Sequence, residues 1–469
     1  MQKKVADILS QLDPEYNGDL LPEIRNTFLQ SEKTIVVFDD DPTGTQTCHD
    51  VVVLTSWSVA LIAEELRRNP SILFILTNSR SMPEEVAVRL TNEIGKNIRE
   101  AVRQTGRQII PISRSDSTLR GHFPAEVDAL ADALDLKDAV QVLIPAFIEG
   151  GRFTINDVHY IVEQDDLIPV ADTPFAKDRS FGYSHSNVKE WVEEKTKGTT
   201  KANDVISISL KDIRSGGPDN VAEKLSRCRP GEVVLINAVS FRDLEVVASG
   251  IQLSEKQGKK FLFRSSATFV PIRTGIAPGK IFIPTASDIH SVNGSLTVVG
   301  SYVPKTTTQL NHLLAQNKHE KIEIHVDDIL GDANRAERAA AISEKIDHWL
   351  SAGKDVIVYT SRSLVVGGDA NESLKINGII SDYLVSVIQR LNVRPAFFIA
   401  KGGITSSDLA SKGLSSKKAD VLGQAITGVP VWRLSDDSKF AKILYIVFPG
   451  NVGGESAFWE VWYRFKYNV

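Results

Sequence analysis

The chain has 469 residues, of which 42% are hydrophobic and 24% are charged. This length predicts about three domains or two large ones, and the composition allows a large buried core, which excludes a small binding module and a disordered protein. Lys and Arg total 54 against 59 Asp and Glu, a net charge of -5. Because no long run of either sign occurs, the charge pattern disfavours a nucleic-acid coat and a polybasic membrane binder.

The predicted elements of the first half follow an α/β pattern, in which short β-branched runs alternate with segments of helical period. The predicted strands are residues 34–38, 50–55, 72–76, 109–113 and 140–144, and the predicted helices are residues 59–68 and 83–104. After Asp157 the pattern loosens, which we interpret as a substrate-side insertion or flap. It resumes with predicted strands at residues 233–237 and 261–264.

The stretch 273–294 is rich in Gly and Pro and predicts the domain boundary. Beyond it, predicted strands at residues 296–300, 322–326, 355–360, 396–400 and 443–448 indicate a second core. We therefore expect an α/β fold with two domains, each with a largely parallel sheet flanked by helices. The predicted boundaries are an N-terminal extension at 1–33, a first domain at 34–285 and a second at 286–469.

Cysteine content and the lack of membrane signals predict the compartment. Cys48 and Cys228 are too few for a disulfide framework or a four-cysteine zinc site. Asp7 interrupts the apolar stretch that a signal peptide requires, and no segment offers about 20 consecutive apolar residues. We expect a cytoplasmic protein that binds neither membrane nor nucleic acid.

Three aspartates, Asp39 to Asp41, follow the first predicted strand and precede a Pro-Thr-Gly turn. In open α/β sheets ligands bind beyond the carboxyl ends of strands, so carboxylates there suit general-base work or Mg²⁺ binding. The alternative is a polar turn in which Asp caps backbone amides. Three adjacent aspartates exceed what one turn needs, which favours the functional interpretation.

A second cluster follows the predicted strand at 109–113 and contains Arg114, Asp116, Ser117 and Arg120. Arginine forks bind carboxylates in a bidentate manner and hydroxyls bind polyols, so this set suits an acidic sugar. The alternative is a helix N-cap with solvated arginines. Arg80 follows a third strand, and Arg152 is a weaker candidate.

Glycines follow two predicted strands of the second half, in the segments 401–410 and 448–454, and a hydroxyl-rich segment at 300–309 follows another. Glycine lets a backbone approach a phosphate closely, and a following helix N-terminus offers free amides. The sequence contains neither GxxxxGK[ST] nor a strand-associated GxGxxG, which disfavours Walker-type NTPases and Rossmann dehydrogenases. No HExxH pair or GxSxG elbow occurs either, which disfavours a zinc protease and an α/β-hydrolase.

Taken in order, these motifs resemble the four-carbon acid sugar kinases, formerly a family of unknown function. The resemblance rests on DD-x-TG at 40–44, RSDSTLRG at 114–121, PAF with GR-x-T at 145–154, RSSATFV at 264–270, KGGITSSDL at 401–409 and PGNVGG at 449–454. It implies a first domain that binds the sugar acid and a second that binds ATP. The implied reaction transfers the γ-phosphate to the terminal hydroxyl of threonate, erythronate or 3-oxo-tetronate, between which the sequence does not choose.

The resemblance also implies residue roles. The acid would be contacted by Asp41, Arg80, Arg114, Asp116, Ser117, Arg120 and Arg152. ATP would be contacted by Ser266, Thr268, Ser301, Gly402, Gly403, Ile404, Thr405, Gly450 and Asn451. Asp41, or else Asp40 or Asp116, would act as the base or orient the hydroxyl, and Mg²⁺ is implied by the reaction, with ligands that the sequence does not identify.

Two other functions stay open. One is a sugar-acid-phosphate lyase or isomerase, in which the aspartates bind a metal and the second domain holds a phosphate already on the substrate. The other is a non-catalytic metabolite sensor, although a sensor needs no base. The only partner that we expect is the small-molecule substrate, and a homo-oligomer stays open.

Overall fold

The computed structural model describes residues 3–289, 291–331, 334–362 and 370–467. In these residues the strands are β1 (Lys3–Lys4), β2 (Lys33–Asp39), β3 (Val51–Leu54), β4 (Ile72–Leu76), β5 (Gln108–Arg114), β6 (Val140–Ile144), β7 (Arg152–Ile155), β8 (Val158–Glu163), β9 (Asp166–Pro169), β10 (Ile206–Ile208), β11 (Val233–Ile236), β12 (Phe261–Ser265), β13 (Leu296–Val299), β14 (Glu320–Ile324), β15 (Val356–Thr360), β16 (Phe398–Lys401), β17 (Lys418–Ile426), β18 (Val429–Leu434) and β19 (Leu444–Phe448).

The helices of the same residues are α1 (Val5–Leu9), α2 (Leu21–Gln30), α3 (Val59–Arg67), α4 (Glu84–Thr105), α5 (Ala125–Ala133), α6 (Val188–Lys195), α7 (Leu210–Arg214), α8 (Gly217–Ser226), α9 (Phe241–Lys256), α10 (Phe269–Arg273), α11 (Pro304–Ala315), α12 (Val326–Gly331), α13 (Arg335–Ser351), α14 (Ala370–Arg390), α15 (Gly403–Asp408) and α16 (Ala457–Tyr467). None of the helices in these ranges has both the length and the hydrophobicity of a membrane-spanning segment.

The chain divides into two compact units. The first contains Met1–Asp40 and Trp57–Pro278, and the second contains Asp41–Ser56 and Gly279–Val469. The predicted domain boundaries differ from this division, because the extension at 1–33 belongs to the first unit and residues 41–56 belong to the second. The physical reason is that β3 pairs antiparallel with β17, with Val53 opposite Ala419. An uninterrupted βα pattern along the chain does not reveal that excursion.

The main sheet of the first unit has the strand order β10-β11-β6-β12-β5-β2-β4, and each of these pairings is parallel. Strands β2 and β4 are almost wholly buried apolar runs, as expected for strands covered by helices on both faces. Helix α4 follows Pro83, carries Glu84 and Glu85 in its first turn, and is capped at its carboxyl end by Gly106, whose φ is +70°. The predicted parallel core is therefore confirmed for this unit.

The segment after Asp157, which the sequence suggests is irregular, forms part of a small antiparallel sheet. Its strand order is β1-β9-β8-β7, so the N-terminal strand β1 completes it. An apolar cluster that includes Phe153, Leu167 and Leu210 packs beneath it. The N-terminal extension therefore contributes a strand to the first unit.

The sheet of the second unit is mixed. Strands β19-β16-β13-β15-β14 are parallel, whereas β3-β17-β18 and the β18-β19 pairing are antiparallel. The expectation of a largely parallel sheet omitted the β17-β18 hairpin, whose strands meet at a turn containing Gly428 with φ +82°. Its core packs α11 and α16 against this sheet through residues such as Leu310, Phe448 and Trp462.

Candidate functional site

In the first unit, four neighbouring parallel strands end at the same edge of the sheet. The register places Asp39 of β2 opposite Arg114 of β5, and Arg114 opposite Ser265 of β12, while β4 lies on the other side of β2. Parallel strands share the direction of their carboxyl ends, so the segments that follow them converge. This is why residues far apart in sequence form one cluster.

Buried arginines and carboxylates fill this edge. Arg80 donates from Nε and Nη2 to the two carboxylate oxygens of Asp40, at 3.1 and 2.5 Å. Arg114 donates from Nη1 to Asp39 at 3.1 Å and lies 3.6 Å from Asp40. Ser115 Oγ donates to Asp40 at 2.8 Å. Each charge is therefore paired, as burial requires.

Asp116 lies beside this cluster between two arginines. Arg120 Nε donates to Asp116 Oδ2 at 2.8 Å, and Arg80 Nη1 lies 3.7 Å from Oδ1. Burial alone would raise the pKa of Asp116, but the Arg120 and Arg80 guanidinium groups outweigh it and hold this pKa well below its usual range. Asp116 is therefore a firmly ionised carboxylate that positions arginines, and it is poorly suited to accept a proton.

The side-chain exposures separate three of the four arginines that were predicted to contact the acid. The side chains of Arg80 and Arg120 are 17% and 23% exposed, whereas that of Arg114 is 5% exposed. A ligand carboxylate can therefore approach Arg80 and Arg120 more readily than Arg114. Arg114 instead holds Asp39 and Asp40 in place.

The sequence interpretation missed the role of Arg264, which is buried on β12. Its guanidinium lies 5.4 Å from the ring of Phe123 and 5.1 Å from that of Trp191, and it donates to the Arg120 carbonyl at 3.1 Å. Burial lowers the pKa of Arg264 to about 10. Its position at the end of a parallel strand was the available sequence signal.

Gly121 adjoins the same carboxylates. Its φ is +116°, and a Cβ there would lie 2.5 Å from Ser115 Oγ and 3.3 Å from Asp40 Oδ2. Glycine at position 121 therefore leaves room for the carboxylate network.

Glu126 was also missed by the sequence interpretation. Burial, and then the negative charge of Asp40, raise the pKa of Glu126 to about 7.

Ser117 and Arg152 belong to the first unit as well. The Ser117 carbonyl lies 2.7 Å from His159 Nε2, and Thr154 Oγ1 lies 2.9 Å from His159 Nδ1. Burial lowers the pKa of His159 to about 4, so the ring is neutral near pH 7. Arg152 is half-buried. Burial lowers the pKa of its guanidinium, and the negative charge of Asp116 partly offsets that effect.

In the second unit, a glycine lies just beyond the carboxyl end of each of three parallel strands. Gly300 follows β13, Gly402 follows β16, and Gly450 lies two residues beyond β19. A Cβ would lie 2.1 Å from Thr405 Oγ1 at Gly300, and 2.9 Å from Ser301 Oγ at Gly450. Side-chain hydroxyls therefore occupy the space that a side chain at Gly300 or Gly450 would need.

Hydrogen bonds hold these strand ends together. The Ser301 amide donates to the Lys401 carbonyl at 3.2 Å, and the Gly402 amide donates to Phe448 at 2.9 Å. Thr306 Oγ1 donates to the Gly450 carbonyl at 3.0 Å. Because the first amides of a helix lack intrahelical acceptors, the start of α15 offers donors here. The arrangement fits phosphate oxygens.

Asp41 lies in the second unit, not with Asp39 and Asp40. It caps the short helical turn at Pro42–Thr47, accepting from the Thr43 amide at 2.8 Å and from Thr43 Oγ1 at 2.5 Å. Its Oδ2 would lie 3.2 Å from a Cβ at Gly403. The three adjacent aspartates therefore have three different environments.

Two basic side chains at these strand ends were missed by the sequence interpretation. Lys401 is fully buried, and its Nζ donates to the Pro449 carbonyl at 3.1 Å. Arg362, which follows β15, donates from Nη2 to the Ser301 carbonyl at 2.7 Å and to Thr307 Oγ1 at 3.0 Å. The feature of the sequence that could have revealed them is a basic residue at the end of a predicted strand.

Comparison with known families identifies the chain. A family model described as a sugar-binding N-terminal domain matches residues 35–272, and one described as a nucleotide-binding C-terminal domain matches residues 296–458. The chain belongs to the four-carbon acid sugar kinase family. The first match contains the arginine–carboxylate cluster, and the second contains the glycine strand ends.

Two curated relatives of this family are similar over part of their length. The D-threonate kinase of Salmonella typhimurium is 26% identical over 296 residues, which are 63% of each chain. The D-erythronate kinase of Heliobacterium modesticaldum is 26% identical over 230 residues, which are 47% of this chain and 48% of the relative. These alignments span less than two thirds of the relatives. A solved structure from Haemophilus influenzae has a TM-score of 0.59 at 18% identity and covers 91% of this chain and 98% of that chain, which shows the fold.

Within this family assignment, two predicted ATP contacts lie in the sugar-binding match. Ser266 donates to the Ala146 carbonyl and Thr268 to Glu149, and both are buried in the first unit. The other predicted ATP contacts lie in the second unit. Among these, Ile404 and Asn451 are exposed and Ser301 is half-buried.

The described ranges contain no group of three or more His, Cys, Asp or Glu side chains that could coordinate a metal ion. Mg²⁺ in phosphate-transfer sites usually keeps several waters and uses substrate phosphates with one or two carboxylates.

Proposed function

We propose that this chain is an ATP-dependent kinase that phosphorylates the terminal hydroxyl of a four-carbon or related sugar acid, such as threonate, erythronate or 3-oxo-tetronate. The observation that carries the proposal is that one chain matches both family domains, each over a cluster of the corresponding chemistry. The kinase names of the two curated relatives support the same reaction.

The acid's carboxylate is held by Arg80 and Arg120 in this proposal. A small polyol has too little apolar surface for burial to hold it, so charged hydrogen bonds must supply affinity. Both guanidinium groups are partly exposed and are positioned by Asp40 and Asp116. Arg114 acts through Asp39 and Asp40 rather than by touching the acid.

The phosphates of ATP are held by backbone amides at Gly403 and Gly450 and by the cation Arg362, while the Gly402 amide, which donates to the Phe448 carbonyl, fixes the turn that presents them. Phosphoryl transfer is mainly a matter of positioning and charge neutralisation, for which fixed amides and arginines are suited. Magnesium, when bound with ATP, would neutralise charge on the phosphates. Glycine at these positions keeps the amides accessible.

Asp41 is the proposed base or hydroxyl orienter. Asp40 and Asp116 are engaged by arginines, and Asp116 has a strongly lowered pKa. Asp41 is half-buried beside Gly403, next to the proposed phosphate site. The attacking hydroxyl must reach the γ-phosphate during transfer, so a carboxylate on the phosphate side is well placed to orient it.

A coupled ADP-release assay over a panel of four- and five-carbon sugar acids tests the proposal. We expect ADP release that depends on at least one unphosphorylated acid. We also expect its loss in Gly403→Val, because even a Cβ at this position would lie 3.2 Å from Asp41 Oδ2. Conversion of a phosphorylated acid without ATP would instead indicate a lyase or isomerase. ATP and acid binding without turnover would indicate a sensor.

A further inference from the structure

Lys401 is a fully buried lysine among aromatic rings. Its Nζ lies 3.9 Å from the centre of the Phe448 ring and 5.2 Å from that of Phe458. Its hydrogen-bond acceptor is the Pro449 carbonyl, at 3.1 Å. A neutral amine is satisfied by one carbonyl and apolar walls, whereas an ammonium would lose most of its hydration there.

The charged groups that act on Lys401 are themselves cations. Lys305 at the start of α11 and Arg362 after β15 both disfavour a further positive charge. The elements around this strand end also carry Asp41, which caps its own turn, and Asp408, which pairs with Lys412 at 3.0 Å. Lys401 has no ion-pair partner in the described ranges. Burial first, and then these cations, lower the pKa of Lys401 to about 6.

The carbonyl that Lys401 contacts belongs to the proposed phosphate site. The Pro449 carbonyl and the Gly450 amide are the two ends of one trans peptide, so the N–H points away from Lys401. A side chain at position 450 would collide with Ser301 Oγ. Because position 450 is a glycine, no side chain covers this peptide group. Positive charge on Lys401 would polarise the peptide and strengthen the Gly450 N–H as a donor.

We propose that Lys401 is an uncharged amine in the nucleotide-free protein and takes up one proton from solvent when a polyphosphate binds at the glycine strand ends. The inference rests on the proposed nucleotide binding and adds that this binding is coupled to protonation. Several negative charges brought close in a poorly solvated site favour the ammonium. The aromatic faces of Phe448 and Phe458 then stabilise it.

Calorimetric titration with ATP and Mg²⁺, at about pH 7.5 in HEPES, imidazole and Tris, measures the protons taken up from the dependence of the heat on buffer ionisation enthalpy. We expect the wild type to take up at least about half a proton more per ATP than Lys401→Met, which fills the same space without titrating. The matched control is Lys345→Met, which removes an exposed lysine of α13 that is not among the charges acting on Lys401. Its ATP affinity and its proton uptake should equal those of the wild type.

A purely structural lysine would change affinity in Lys401→Met without changing the proton count, and equal counts in the two proteins would overturn the proposal. Should Lys401→Met not fold, the wild type still tests it. Proton uptake makes the Kd for ATP rise as pH increases from about 6.5 to about 8.5, by up to tenfold per pH unit. A Kd independent of pH overturns the coupling alone, whereas absence of ATP binding overturns both proposals.

Discussion

The backbone of Gly402 permits a stringent test of the proposed phosphate site. Its φ of +120° and ψ of 142° lie in a region that essentially only glycine occupies. A Cβ would also lie 3.0 Å from Ser301 Cβ and 3.2 Å from the Ser301 amide nitrogen. Gly402→Ala therefore combines backbone strain with a close contact against a neighbouring backbone.

The expected loss in the free energy of unfolding follows from these two terms. Strain in such a region costs on the order of 1–3 kcal/mol, and the contact with Ser301 adds about 1 kcal/mol. We expect the total to be about 2–4 kcal/mol. The Gly402 amide donates to the Phe448 carbonyl, and Gly402 directly precedes α15, so relief of the strain would shift the amides of the site. A tenfold or greater loss of ATP affinity should result, which is about 1.4 kcal/mol.

Gly454→Ala is the matched control. Gly454 lies in the loop after β19, and a Cβ there meets no atom within 4 Å. Its stability and ATP affinity should change by no more than about 0.5 kcal/mol. Urea unfolding followed by circular dichroism, together with calorimetric ATP binding, measures both quantities. Equal effects of the two substitutions would refute the reasoning about Gly402.

Asp41→Asn should keep ATP affinity within about twofold while kcat falls roughly a hundredfold, because Asn can cap the turn but cannot accept a proton; near-wild-type turnover would show that Asp41 is only a cap. Arg80→Lys loses the bidentate contact with Asp40 and should raise the KM for the acid about tenfold. The control Arg103→Lys, at an exposed surface position, should leave this KM unchanged. Equal KM values for the two variants would show that Arg80 does not bind the acid. The pKa of His159 in the folded chain is about 4, below its ordinary value of 6.5. The unfolded chain therefore binds more protons between these pH values. The free energy of unfolding should fall by about 3 kcal/mol as the pH drops from 6.5 towards 4. His159→Gln should flatten that dependence in urea unfolding at several pH values, and parallel curves for the two proteins would contradict it.

Much of the fold was predictable because buried parallel strands leave a strong pattern. Strand β4 matches the predicted residues 72–76, and β2 exceeds the predicted 34–38 by one residue at each end. The hairpin β17-β18 was missed because the polar residues Lys418, Asp420 and Gln424 interrupt the apolar residues of β17, and because Pro430 lies within β18. The excursion at 41–56 depends on pairing with β17, a contact that lies far away in sequence.

The candidate site was predictable only as a set of strand ends. Strand order brings Asp40, Arg80 and Arg114 together, but it does not say which arginine faces a ligand and which is consumed in buried pairs. Adjacent residues were hardest to assign: Asp40 and Asp41 differ by one position and belong to different units. Lys401 and Arg264 each begin one of the motifs, but the motif does not reveal their burial, because the rings around them come from distant segments.

Phosphorus NMR of a reaction with ATP, Mg²⁺ and each sugar acid tests the central claim most directly. We predict that, for at least one acid, the γ-phosphate signal of ATP is replaced by a phosphomonoester signal in equal amount to the ADP formed, with no phosphomonoester in the absence of acid. ATP that stays intact with every acid, or that yields only inorganic phosphate, would contradict the account.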